Sequence, residues 1–167
     1  AVGDAQSGGF FPAELKFSGY DGIVLKGKSK TPVYIWINDG KIEIKDASHL
    51  WGKITSESEK LIKEELNDKR IEVLQIGPAG EKRVRFAALI SMSNRANGRT
   101  GMGAVMGSKN LKAVVVRGKQ RPLIAKPDKF KELQKLQLSN FIFLPPLKVF
   151  VRYLRVIDSS IIVVIVL

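Results

Sequence analysis

The sequence predicts an α+β fold, rich in short strands and carrying short helices, and three features point to it. Asp39-Gly40 joins two β-branched and aromatic runs, residues 33–37 and 41–45, and glycine can take the positive φ that a tight hairpin turn needs. Ser56-Glu57-Ser58-Glu59 has the form of a capping box opening the apolar stripe Leu61, Ile62, Leu66, which describes an amphipathic surface helix ending near Asn67-Asp68. Only about ten residues separate the glycine-rich stretch at Gly101 from the next β-rich run at Leu111. That is too few for the crossover helix and turns of an ordinary βαβ unit, so a doubly wound sheet does not fit.

The elements follow in order. Residues 3–9 read as a small-residue, glycine-containing loop, and Phe10, Phe11, Ala13 and Phe17 then recur near helical spacing, predicting a short helix closed by Gly19. Residues 22–26 read as a strand ahead of the hairpin. The alternation Lys41, Ile42, Glu43, Ile44, Lys45 predicts one buried and one wet face. Residues 71–76 read as a strand stopped by Gly77-Pro78-Ala79-Gly80, residues 84–91 as another, residues 94–110 as a loop, and residues 111–117 as a final strand. No internal repeat is present.

The character changes past Gly118, dividing the chain into residues 1–118, a basic linker or helix over 119–140, and an atypical apolar tail over 141–167. A lysine-rich helix is expected within residues 122–137, starting after Pro127-Asp128. The terminal run 161–167 is too short to span a bilayer, which takes about 20 apolar residues as a helix, and Pro145-Pro146 with Lys148, Arg152 and Arg155 interrupt any longer span. Its β-branched composition reads as a strand or as an exposed, aggregation-prone end.

Composition narrows the chemistry. At 167 residues and 18.5 kDa, with 44% hydrophobic and 26% charged residues, the chain has the make-up of a single packed domain with or without a tail. The absence of cysteine excludes disulfides, thiolate-held zinc, iron–sulfur ligation by this chain and a cysteine nucleophile. One histidine, His49, leaves no room for a histidine metal cluster. The net charge of +12 suits a polyanionic partner, but nine basic against three acidic residues from Lys119 onward carry half of it, leaving residues 1–118 only mildly basic. Residues 1–9 lack the basic and apolar regions of a signal peptide.

Two stretches are candidates for chemistry. Residues 94–110 combine glycines with Arg95, Arg99 and Lys109, the composition of a loop whose backbone amides approach a phosphate while guanidinium groups pair with its oxygens. The competing reading is a glycine-rich connection into a short helix with solvated arginines. Gly107-Ser108-Lys109 inverts the order a P-loop requires, which argues against nucleotide hydrolysis. The loop over residues 3–9 offers a second anion site at the start of the helix, or a cation site at Asp4, or an ordinary capping loop. His49 reads as a packed or capping residue, Trp36 and Trp51 as core, and the lysine-rich tail as a solvated face.

Several segments together carry a family likeness: Gly8-Gly9-Phe10-Phe11 with Ala13-Glu14-Leu15-Lys16-Phe17, Asp46-Ala47-Ser48-His49-Leu50-Trp51-Gly52, Ile76-Gly77-Pro78-Ala79-Gly80-Glu81, Val84-Arg85-Phe86-Ala87-Ala88, and Gly103-Ala104-Val105-Met106-Gly107-Ser108-Lys109-Asn110. In this order they resemble the tungsten-containing aldehyde ferredoxin oxidoreductases, specifically the end of their N-terminal, pterin-binding domain, over residues 1–118. The resemblance implies an incomplete β-rich domain of mixed sheets with short helices. It implies a tungsten (or molybdenum) bis-pterin, with magnesium bridging the pterin phosphates. Gly8, Arg95, Ala96, Gly98 and Arg99 would contact that cofactor, and Gln6 and the Ala96 backbone carbonyl would ligate the magnesium. Gln6 stands where the family usually has asparagine; a backbone ligand tolerates the change and a side-chain ligand does not.

The function so implied is that of a cofactor-binding fragment of a cytoplasmic, homo-oligomeric oxidoreductase. It would convert aldehydes to carboxylic acids and pass electrons to ferredoxin through an iron–sulfur cluster in domains missing here. No catalytic acid or base is assigned in this chain, and its activity alone is not expected. Residues from about Gln137 onward depart from the family, which suits an interrupted gene with an out-of-frame or unrelated tail. The alternatives are a basic module for nucleic acid or an anionic surface, and a non-functional truncated product. Tyr20, Tyr34, Trp36 and Trp51 do not form an aromatic stripe among basic residues, which argues against nucleic acid, and no membrane span is expected.

Overall fold

The computed structural model describes the backbone of residues 3–141 and the side chains of residues 3–136. A six-stranded mixed sheet forms the centre, built from β1 (Val33–Asn38), β2 (Lys41–Asp46), β3 (Glu72–Gln75), β4 (Leu89–Ser91), β5 (Arg95–Asn97) and β6 (Leu111–Arg117). The spatial order is β2-β1-β6-β3-β4-β5. Only β1 and β6 run parallel; every other neighbouring pair is antiparallel. With α1 (Phe11–Phe17), α2 (Thr55–Glu65), α3 (Pro78–Glu81), α4 (Met102–Ser108) and α5 (Pro127–Phe141), the architecture is α+β.

The near-continuous apolar run of β6 is explained by its central place, where both faces are covered. Val114 and Val116 enter one core with Phe11 and Leu15 of α1 and Met102 and Met106 of α4. Ala113 and Val115 enter a second core with Tyr34, Leu50 and Ile62 of α2. Two buried polar clusters tie elements together at the edges of these cores. The Glu81 carboxylate accepts from the Gly52 N–H at 2.8 Å and pairs with the fully buried Lys112 ammonium, which also donates to the Lys53 carbonyl at 2.9 Å. Burial depresses the Lys112 pKa, and the Glu81 partner opposes that shift. Arg117 pairs with Glu14 of α1 and donates from Nε to Asp68 at 3.1 Å.

The expected hairpin forms across Asp39-Gly40, and the expected helices at α1 and α2 form in place. Six expectations are corrected. Residues 22–26 pair with no strand; Ile23 and Leu25 pack against the α1/α4 core while Val24 stays exposed, so their apolar character serves packing alone. The apolar face of β2 is not buried, because β2 is the sheet edge: Ile42 is 53% and Ile44 71% exposed. No capping box opens α2, whose N-cap is Ile54 without a side-chain bond, because the helix begins two residues earlier than Ser56 as N-cap would place it and Glu59 is drawn to Lys63 and Ser93. Residues 77–80 are not a simple stop but enter α3, and only Leu89–Ser91 of the 84–91 run is a strand, since Val84 and Ala87 amides close turns onto Ala79 and Val84 carbonyls. Residues 95–97, read as loop, form β5. The expected lysine-rich helix is α5, and the features expected of residues 142–167 lie outside the described residues.

Candidate cofactor-binding loops

Two segments far apart in sequence meet beside the α1/α4 side of the sheet: residues 3–10, leading into α1, and residues 92–102, leading from the β4–β5 hairpin into α4. Thr100 Oγ1 donates to the Asp4 carbonyl at 3.1 Å, and the Phe10 N–H meets Met92 Sδ at 3.4 Å. A Cβ on Gly3 would lie 2.9 Å from the Thr100 side chain. Gly9, with φ of +81°, leaves the Met92 sulfur the space a side chain would need, and a Cβ there would sit 3.7 Å from Arg95 Cγ. Gln6 and Gly8 therefore lie on the stretch between two contacts, and Arg95, Ala96, Gly98 and Arg99 lie on the stretch that faces it.

All six positions are solvent-exposed. Arg95 and Ala96 are held in β5 by pairing with Ser91 and Ile90, so successive side chains leave opposite faces of the strand. Gly98 precedes a 3-10 turn over Arg99–Gly101. No neighbouring atom lies within 4 Å of where a Cβ would stand on Gly8 or Gly98. Backbone at these two glycines is open to an incoming group.

The remaining glycines of the 94–110 stretch are committed to packing. A Cβ on Gly101 would strike the Arg85 carbonyl, one on Gly107 the Gly80 carbonyl, and one on Gly103 would lie 2.7 Å from the Ala87 and Ala88 carbonyl oxygens. Gly103 also donates its N–H to the Ala87 carbonyl at 2.9 Å. The connection reading thus describes residues 101–107, where α4 seats on α3 and its following turn, while residues 95–97 pair with β4 and Gly98 has open space beside it. The Lys109 ammonium donates to the Gly27 carbonyl at 3.1 Å, outside the two loops.

Chemically, the exposed Arg95 and Arg99 side chains and the open backbone at Gly8 and Gly98 are groups that can hold an anion. Among the described residues no carboxylate lies within ion-pair distance of Arg99. The Ser7 hydroxyl, between Gln6 and Gly8, is buried without a hydrogen-bond partner, as is that of Ser91 at the base of the hairpin. Among the described residues no group of three or more His, Asp or Glu is clustered to hold a metal ion, so any cation here would draw on backbone carbonyls and ligand oxygens. His49 is not part of the seat: its Nε2 lies 3.3 Å from Glu65 Oε2 of α2. Trp36 packs against the core on the α2 side and Trp51 against the α1/α4 core, both half-buried.

Sequence reasoning missed Met92, Ser93 and Thr100, which give the second loop its shape with φ of +52°, +55° and +61°. Glycine or asparagine would have signalled a left-handed turn there, and neither stands at those positions.

Comparison with known proteins is consistent along the same stretch. Residues 1–118 match the family model described as aldehyde ferredoxin oxidoreductase, N-terminal domain. A tungsten-containing aldehyde ferredoxin oxidoreductase of Pyrococcus horikoshii is 57% identical over 129 residues, covering 77% of this chain and 21% of the relative. The WOR-like subunit of an aliphatic sulfonate oxidoreductase of Pyrococcus furiosus is 41% identical over 140 residues, covering 77% of this chain and 22% of that protein. The solved active-site complex BamBC of benzoyl coenzyme A reductase, in complex with 1,5-dienoyl-CoA, aligns with a TM-score of 0.70 and 47% identity over 75% of this chain and 19% of its own. The chain spans about a fifth of the length of the relatives it matches.

Proposed function

The chain belongs to the aldehyde ferredoxin oxidoreductase family through that family's N-terminal domain, and on that premise we propose that its two converging loops form part of the seat for a tungsten (or molybdenum) bis-pterin cofactor. The observation that carries the reading is the pair of open glycines, Gly8 and Gly98, on two loops brought together by the Asp4–Thr100 and Phe10–Met92 contacts. Other glycines nearby are explained by backbone or side-chain atoms packed against them; these two are not. The unpartnered Ser7 hydroxyl between Gln6 and Gly8 is a further donor awaiting an acceptor. The residues present therefore fit a phosphorylated planar group.

In this reading Arg95 and Arg99 pair with pterin phosphate oxygens, and the backbone of Gly8 and Gly98 allows close approach of the ring system. The Ala96 carbonyl, with Gln6, contributes oxygen to magnesium, a hard cation that takes oxygen ligands and shares them with phosphates. The bound metal-pterin supplies the redox chemistry, while this chain supplies orientation and charge. With no cysteine, the chain leaves the iron–sulfur cluster to the rest of the protein. For that complete, cytoplasmic, homo-oligomeric protein the activity we infer is aldehyde oxidation to the carboxylic acid with electrons passed to ferredoxin, because the relatives of that name are the more similar ones. Residues 1–118 form the cofactor domain in this division, 119–140 a basic linker helix and 141–167 a tail of separate origin.

Metal and pterin content of the purified chain test the proposal. Tungsten or molybdenum together with pterin, both lost in Arg95→Ala and in Gly98→Val, is the expected result; a folded chain holding neither overturns it. One observation favours a second reading, a basic surface for polyanions. Phe86 is 89% exposed beside exposed Lys82, Arg83 and Arg85, an aromatic among basic residues that a nucleic acid would stack on and pair with. Affinity for single-stranded RNA that falls steeply with salt and ignores tungsten would support it.

A further inference from the structure

The seat faces solvent, yet the turn that presents it is held in an unfavourable backbone conformation. Met92 and Ser93, both non-glycine, sit at φ of +52° and +55° in the three-residue connection between β4 and β5. Left-handed conformations of this kind persist only where surrounding contacts over-determine them. Two such contacts are present, on opposite sides of the turn. On one side the Phe10 N–H meets Met92 Sδ at 3.4 Å, in the space left by Gly9. On the other, Ser93 Oγ donates to Glu59 Oε2 of α2 at 2.6 Å, while the second oxygen of Glu59 accepts from Lys63 at 2.5 Å.

We propose that Glu59, Ser93 and Met92 are positioning residues that clamp this turn from both sides and thereby fix which face of β5 presents Arg95 and which presents Ala96. Strand geometry supplies the reason. The register Ser91↔Arg95 and Ile90↔Ala96 depends on the turn containing residues 92, 93 and 94. A relaxed turn one residue shorter or longer moves the pairing by one, and a slip of one residue exchanges the two faces of a strand. The Arg95 side chain would then leave the opposite face of the strand, and the Ala96 carbonyl would turn from one edge of β5 to the other. β5 is a three-residue edge strand with exposed Arg95 and Ala96, so only Asn97 adds burial of its own to hold the register. The clamp also links α2 to the N-terminal loop through the hairpin tip.

The inference rests on the cofactor reading for its consequence but not for its test. Amide hydrogen exchange on the 167-residue chain, without cofactor, reads the clamp directly. Glu59→Ala and Ser93→Ala are expected to raise exchange at residues 95–97 about tenfold or more, with β1 and β6 unchanged, since local openings and global unfolding have separate free energies. Ser93→Thr, which keeps the hydroxyl, is expected to restore protection, and Met92→Leu, which keeps bulk but not the sulfur acceptor, to fall between. Unchanged exchange at 95–97 in both alanine variants overturns the proposal, as does loss of protection spread evenly over the whole sheet. Pterin content separates the two ideas: wild-type chain without pterin but with clamp-dependent exchange defeats the cofactor reading alone, and pterin retained in full by variants with loosened 95–97 defeats the positioning role alone.

Discussion

At the scale of single residues, glycines divide by what surrounds them, and the division predicts opposite phenotypes. Gly107→Ala drives a methyl group into the Gly80 carbonyl, a backbone atom no rotamer change can move aside. The expected cost is about 3 kcal/mol, the upper end for overpacking a close contact, read from chemical denaturation. Gly98→Ala meets nothing, at φ of −90° and ψ of −15°, so its stability should stay within about 0.5 kcal/mol of wild type while pterin retention falls. Glu72 carries a pH signature. Burial raises its pKa to about 7 from 4.5, with Glu59 and Glu14 adding to the shift and Lys63 opposing it. The folded chain therefore holds the Glu72 proton more tightly than the unfolded chain does, and stability contributed by this residue is lost as pH rises from 4.5 through 7. Glu72→Gln removes that dependence, so the variant should gain on wild type by up to about 3 kcal/mol between pH 4.5 and pH 8, measured as the difference in unfolding free energy.

At the scale of elements, local signals were legible where an element's own residues decide it. The Asp39-Gly40 turn is decided by its own two residues, both left-handed with φ of +47° and +87°, and the apolar residues of 111–117 marked β6 as a strand. Residues 22–26 were misread because a short apolar run looks alike whether it pairs or merely packs. The Val84–Ser91 run was split by two turns, the Val84 amide donating to Ala79 of α3 and the Ala87 amide to the Val84 carbonyl, which no periodicity within the run reveals. Residues 102–108, read as part of a glycine-rich loop, form α4, and only the competing reading, a glycine-rich connection into a short helix, contained it. Met106 is fully buried in the α1/α4 core one turn into this helix, and Gly103 and Gly107 seat the helix on its neighbours. Met106→Ala is expected to cost about 2–5 kcal/mol through the cavity it leaves, and to loosen the residues that lead into the helix. A fall in melting temperature with raised exchange at residues 98–103 would check both parts.

At the scale of the whole molecule, the chain leaves apolar surface uncovered. Ile42 and Ile44 on the edge strand β2 are 53% and 71% exposed, and an open edge with apolar side chains is a template for association. The chain is expected to self-associate with rising concentration in light scattering, and Ile44→Lys to reduce that association without changing stability by more than about 0.5 kcal/mol. Among the described residues no helix is long and apolar enough to cross a membrane.

By itself the sequence determined the α+β class, the hairpin, the main helices, the central strand and the family, and it marked both loops through their glycines and arginines. These depend on local spacing or on words of sequence that stay intact when the chain is read in one dimension. Only the tertiary structure decided which glycines face backbone and which face open space, that Lys109 turns to Gly27, that Ile42 and Ile44 lie at an uncovered edge, and that Met92 and Ser93 are clamped between α2 and the N-terminal loop. Each of these is a relation between residues many positions apart. The packing of the sheet brings such residues together, and no local propensity encodes which of them will touch.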